Sequence, residues 1–239
     1  GEVIQGGYGI HGTPNRPRRG CCARGTWAKT ALSQFSTQRG FAMHALIVID
    51  VQNDFCPKGA LAVAGGNEIV SDINVLMGQF DAVILTQDWH PAGHSSFAAS
   101  HTGKDPYDMI EMPYGPQILW PDHCIQGTAG AAFNSALNTD QADLIIRKGY
   151  NPAIDSYSAF FENDHKTPTG LEGYLRTRGI TKVTLVGLAL DFCVNYSAID
   201  AAKLGFDVTV RRELCRAIDL NGSLAAAEAA MASAGVTLA

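Results

Sequence analysis

No window of the chain approaches the ~18 consecutive apolar residues that a membrane-spanning helix requires, which argues against helical insertion into a bilayer. Cysteine is scarce: Cys21, Cys22, Cys56, Cys124, Cys193 and Cys215 are the six in 239 residues, and no C-x-x-C pair occurs. Too few and too scattered for a disulfide scaffold, they read as reduced thiols in a cytosol-like compartment. Positive charge is also in short supply, with 18 Lys and Arg against 23 Asp and Glu and a net charge of −5. A nucleic-acid partner would favour a basic face, so the balance argues against that class. No internal repeat is evident.

Acids are nearly missing from residues 1–42, where five Arg and one Lys meet only Glu2; that segment carries +5 and the remainder about −10. It is rich in Gly and Arg, has no hydrophobic period, and lacks the 7–15-residue apolar stretch of a secretory signal. Met43 directly precedes the first strong strand. Residues added upstream, an Arg-rich targeting segment and a natural disordered arm are all open readings. We set 1–42 apart from the domain 43–239 and expect this head to be poorly ordered. The expected location is the cytoplasm, with organelle targeting by the head left open.

What is present is a core. At 46% hydrophobic, the chain is long enough for one sizeable domain. Strands are expected at Ala45–Asp50, Ala82–Thr86, Asp143–Lys148, Lys182–Gly187, Asp207–Val210 and Val236–Leu238. Helical spacing occurs over Asn67–Phe80, Gly170–Arg178, the stretch after Cys193 to Leu204, and Ser223–Ser233. Continuous apolar strands alternating with helices predict an α/β fold: a mainly parallel, roughly six-stranded sheet covered on both faces in three α/β/α layers. One interval breaks the rhythm. More than fifty residues, Gln87 to Ala142, separate the second and third strands, whereas compact α/β connections usually take only ~2–6.

Ligands of open parallel sheets bind outside the carboxyl ends of the strands. Those ends offer Asp50, Gln87-Asp88, Lys148 and, beyond the fourth strand, Cys193. A thiol at a helix start is favoured as thiolate by the free N–H groups there, which could also hold an oxyanion. Taken alone, however, a cysteine at a strand–helix junction is more often core filling. Asp50 follows five apolar residues and is costly to bury unpartnered; it is either a general base or a carboxylate satisfied by loop amides. A phosphatase-like role would want a second Asp where Gln52 stands. Lys148 is either a solvated strand-end lysine or a cation that keeps Asp50 ionised.

The long interval holds its own cluster. "TQDWHPAGHSSF" supplies Asp88, His90 and His94, and "WPDHC" supplies His123. One carboxylate and two imidazoles suit Zn²⁺, Fe²⁺ or Mn²⁺ with positions left open. Polar residues on a loop surface are the plainer alternative, and His94 is the weakest member.

In order and spacing, "ALIVIDVQNDFCPKGALAV", "TQDWHPAGHSSF", "WPDHC", "RKG" and "GLALDFCV" resemble the nicotinamidases (pyrazinamidases) of the isochorismatase-like cysteine hydrolases. The resemblance runs from Met43 to the end. It implies a Rossmann-like isochorismatase fold with a long metal-binding insertion after the second strand. It also implies a catalytic triad of Asp50, Lys148 and Cys193, and one divalent metal ion on Asp88, His90 and His123, with His94 as a further or water-mediated contact. Zinc is the first expectation, iron or manganese the alternatives. A cis peptide at Leu188–Ala189, an oxyanion hole from the N–H groups of Ala189 and Cys193, and a ring slot of Phe55, Leu61, Trp120 and Tyr157 complete the set. The implied substrate is nicotinamide, hydrolysed through a cysteine thioester in NAD salvage, with no nucleic-acid or membrane partner and a homo-oligomer left open. Two other classes remain: a hydrolase in which metal-bound water attacks and Cys193 is structural, and a non-catalytic binding module.

Overall fold

The computed structural model describes residues 43–239; the expectation of a poorly ordered head falls outside the described residues. Six parallel strands form the main sheet: β1 (Met43–Ile49), β2 (Ala82–Asp88), β5 (Leu144–Lys148), β6 (Ile180–Leu188), β7 (Asp207–Arg216) and β8 (Thr237–Leu238). Their spatial order is β5-β2-β1-β6-β7-β8. From β1 the chain winds outward through β2 to β5, then returns to β6 and winds the other way. The reversal lies between β1 and β6, where Ile49 pairs with Gly187. At such a reversal the connections leave in opposite directions and open a crevice at the strand ends.

Because β1 is covered on both sides, its alternate residues feed two cores. Ala45, Ile47 and Ile49 pack with Leu171 and Leu175 of helix α2 (Leu171–Thr177), Ala198 and Ala201 of α3 (Asn195–Lys203), and Met231 of α4 (Ser223–Ser233). Leu46 and Val48 pack with Ile73, Leu76 and Met77 of α1 (Val70–Met77). This is the three-layer arrangement expected from the unbroken apolar strands.

Three expectations need correction. Helix α1 is shorter than Asn67–Phe80, because its flanks close as turns: Glu68 donates to the Gly65 carbonyl and Phe80 to that of Met77. Strand β7 runs past Val210 to Arg216, regaining its pairing with β6 at Gly187 and Leu188 after a register shift. Cys193 does not stand at the start of the helix; it lies inside a π-helical turn, Leu190–Val194, that precedes α3. The long connection also contains an antiparallel hairpin, β3 (Met109–Met112) with β4 (Gly115–Ile118). No helix among the described residues is long and apolar enough to cross a membrane.

Candidate active site

Asp50 directly follows β1 and has a left-handed backbone (φ 47°). Thr86, on neighbouring β2, fixes it twice: the hydroxyl accepts the Asp50 N–H (3.1 Å) and donates to Oδ1 (2.6 Å). In the parallel register of β2 and β5, Asp88 stands opposite Lys148, so strand pairing itself brings cation and carboxylate together. Lys148 Nζ lies 2.7 Å from Asp88 Oδ1, 2.8 Å from Asp50 Oδ2, 2.9 Å from the Ser156 carbonyl and 3.5 Å from Cys193 Sγ. All three ionisable partners and the thiol are buried. One oxygen of each carboxylate and the sulfur lie within 4.8 Å of one another.

The electrostatics of this group follow from burial and one shared ammonium. Desolvation would discharge Lys148, but Asp50 and Asp88 more than reverse it and hold its pKa well above the usual range. Desolvation raises Asp50, with Lys148 only partly opposing it. For Asp88 the same burial is overruled, first of all by Lys148, and its pKa falls well below the usual carboxylate range. The two carboxylates are thus pushed apart, one toward proton exchange and one toward permanent charge. Burial drives the Cys193 thiol well above its ordinary value despite Lys148, so the resting group is S–H and needs a base.

On the far side of Asp88 a second set converges. His90 Nε2 lies 3.5 Å and His123 Nε2 3.8 Å from Asp88 Oδ2. The other ring nitrogens face carbonyls at 2.8 Å, Gly149 for His90 and Pro121 for His123. A carbonyl can only accept, so each Nδ1 carries hydrogen and each Nε2 turns a lone pair toward the carboxylate. Three acceptor atoms facing each other without a donor repel unless a proton or cation stands between them. The set fits a divalent metal ion, with the backbone carbonyls orienting both imidazoles from behind. Gln52 pins Asp88 at the main chain, donating to its carbonyl (2.8 Å) and accepting its N–H (2.8 Å). The structure does not bring His94 into this group. Its Nδ1 meets the hydroxyl (2.8 Å) and N–H (3.1 Å) of Ser96, its Nε2 donates to the Asn151 carbonyl (2.7 Å), and it packs beside the His90 ring.

Between the two sets lies a narrow cavity that, with its open mouth, takes in about 320 Å³. Phe55, Leu61, Trp120 and Tyr157 all line it, as do Ala189 and Cys193, and Leu188–Ala189 is cis. Phe192, Ile218 and Asp155 line it too and were missed from sequence. Phe192 sits edge-on to Trp120 at 5.0 Å, and Trp120 Nε1 donates to the Tyr157 hydroxyl at 3.0 Å, so the ring slot is itself braced. The one signal for Phe192 was its place next to Cys193. Asp155 had none, lying in a polar loop.

The Isochorismatase domain family matches residues 44–239. A curated nicotinamidase of Acinetobacter baylyi is 56% identical over 192 residues, covering 80% of this chain and 90% of that protein. The solved structure of an Acinetobacter baumanii nicotinamidase and pyrazinamidase is 55% identical with a TM-score of 0.82, over 84% of this chain and 97% of the other. A pyrazinamidase of Pyrococcus horikoshii, solved in complex with zinc, is 33% identical with a TM-score of 0.66, over 82% and 98% of the two chains. With its sheet order, its cysteine beyond β6 and this degree of likeness, the chain belongs to the isochorismatase family, on the nicotinamidase branch.

Proposed function

We propose that this amidohydrolase converts nicotinamide, and pyrazinamide as a close analogue, to the carboxylic acid and ammonia through a thioester on Cys193, in the service of NAD salvage. The observation that carries the reading is the position of Lys148. One buried ammonium touches a base-like carboxylate, a metal-type carboxylate and a thiol, at the floor of an aromatic slot.

The chemistry then follows from the groups present. Asp50 takes the Cys193 S–H proton, helped by its raised basicity, while Lys148 keeps its charge and orients both. The sulfur forms a bond to the amide carbon, and the carbonyl oxygen becomes an oxyanion facing the N–H groups of Ala189 and Cys193. As the C–N bond breaks, Asp50 returns the proton to the departing nitrogen and ammonia leaves. Water gives a proton to Asp50 and adds to the thioester carbon; the C–S bond breaks, and the proton returns to sulfur. Asp88, His90 and His123 would hold a divalent ion, with zinc the first expectation and iron or manganese the alternatives; when bound it supplies a Lewis-acid partner for the ring nitrogen. Phe55, Leu61, Trp120 and Tyr157 clamp the ring and exclude water, which fixes the amide carbon against the sulfur.

An ammonia-release assay on nicotinamide, with parallel metal analysis, tests this. Wild type releases ammonia; Cys193→Ala retains metal and releases none. Substantial turnover by the alanine variant would sink the thioester route in favour of direct attack by water.

A further inference from the structure

Asp155 is not used by the steps above, yet it is 2% exposed and lines the cavity. It belongs to the loop between β5 and α2, where its neighbours are already committed: the Ser156 carbonyl holds Lys148, and the Tyr157 ring forms a wall. The hydrogen bonds to the Asp155 side chain come from neutral donors. Oδ1 accepts the Ser156 N–H at 2.7 Å and Oδ2 accepts Gln117 Nε2 at 2.9 Å. Among the described residues no Lys, Arg or His comes within 4.0 Å of it. The other carboxylate on the wall, Asp88, has Lys148 against it. Asp155 is therefore a cavity carboxylate with no ammonium or guanidinium of its own, its nearest basic groups being the His90 and His94 rings within 4.8 Å. Its field reaches the slot: after burial, its charge is the next cause pushing the Tyr157 phenol well above the ordinary range.

We propose that Asp155 is a specificity-determining residue that sets the cavity against carboxylates and in favour of the neutral amide, so that the acid product is expelled as it forms. Substrate and product differ in one respect at neutral pH, an uncharged carboxamide against a negative carboxylate of nearly the same shape. The aromatic walls cannot tell them apart. A fixed buried anion can, because like charges in a poorly screened cavity repel far more strongly than in water. The final step of the reaction creates such a repulsion inside the slot. Retention of the acid would slow each cycle, so this charge acts on product release rather than on bond making.

The inference rests on the hydrolytic reading above, and the experiment separates the two. Zinc-loaded Cys193→Ala protein, which cannot turn over, is titrated with nicotinamide and with nicotinate, and the ratio of the two dissociation constants is recorded. Adding Asp155→Asn is expected to shift that ratio toward nicotinate by about tenfold or more, while Asp155→Glu restores the preference for the amide. A ratio that stays within twofold of the parent overturns the inference. A general folding defect weakens both ligands together, leaves the ratio intact and counts against it. If the ratio responds as expected but wild type releases no ammonia, the hydrolase reading fails and only the discrimination by Asp155 between amide and acid stands.

Discussion

Replacing Lys148 by Met keeps most of the side-chain volume and removes the charge that Asp50 and Asp88 share. At an effective dielectric of about 20, unit charges at the observed 2.8 Å separation of Lys148 and Asp50 attract by about 6 kcal/mol before desolvation is set against it. Breaking a buried ion cluster by removing one partner leaves a net loss of about 3–5 kcal/mol. The pH dependence carries a definite sign. Lys148, raised in the folded state, stabilises the protein below its unfolded pKa, a contribution lost only as pH rises through the folded value. Asp50, already raised by burial, rises further without its counter-ion. The folded variant then holds a proton that the unfolded chain has released, so acidification down to the unfolded carboxylate pKa stabilises the variant relative to wild type. The acid limb of its activity profile moves to higher pH, and turnover falls by about 10²–10⁴, the usual worth of a positioned general base. Urea denaturation at three pH values, with ammonia release over the same range, measures all of this. A variant that keeps a tenth of normal turnover with an unmoved acid limb would refute the idea that one ammonium governs the site.

Asp88→Ala, or thorough chelation of the wild type, is expected to raise KM for nicotinamide more than it lowers kcat, with metal content by elemental analysis falling in parallel; normal affinity in demetallated protein would contradict an anchoring role. Tyr157→Phe strips an acceptor from Trp120 Nε1 (3.0 Å) and Gln117 Nε2 (2.9 Å), so thermal unfolding should show a loss of about 1–3 kcal/mol with weakened ring binding. Gly187→Ala places a Cβ against the Ile49 carbonyl at a backbone angle (φ 117°) that favours glycine, and soluble folded protein should be lost, as circular dichroism would register.

Sequence reading and structure part company for identifiable reasons. Strand runs such as Ala45–Asp50 were legible because both faces of β1 are buried and leave an unbroken apolar string. Asp50, Asp88, Lys148 and Cys193 stood out as candidates because chemistry at strand ends follows from topology, His90 and His123 because they cluster in one long connection, and the resemblance supplied the proposed roles. Hairpin β3–β4 was not, since its strands are short, partly exposed and interrupted by Pro116. The end of β7 was hidden by Arg211, Arg212 and Glu213, which face outward and look like loop. Gln52, Thr86 and Asp155 escaped because their partners lie 36 or 38 residues away in sequence, a distance at which a single polar side chain carries no periodic signal.

Lys148 also limits how this enzyme can be altered. Its ammonium touches the carboxylate that would face a metal and the carboxylate that would face the thiol, 2.7 Å from one and 2.8 Å from the other. A change that retunes the ion site through Asp88 therefore alters the proton acceptor next to the sulfur, and the reverse holds equally. Double-mutant analysis across the pair should return a large coupling energy. On the proposed mechanism, the ring anchor and the nucleophile form one adjustable part, and retuning the Asp88 ion site means rebuilding the base along with it.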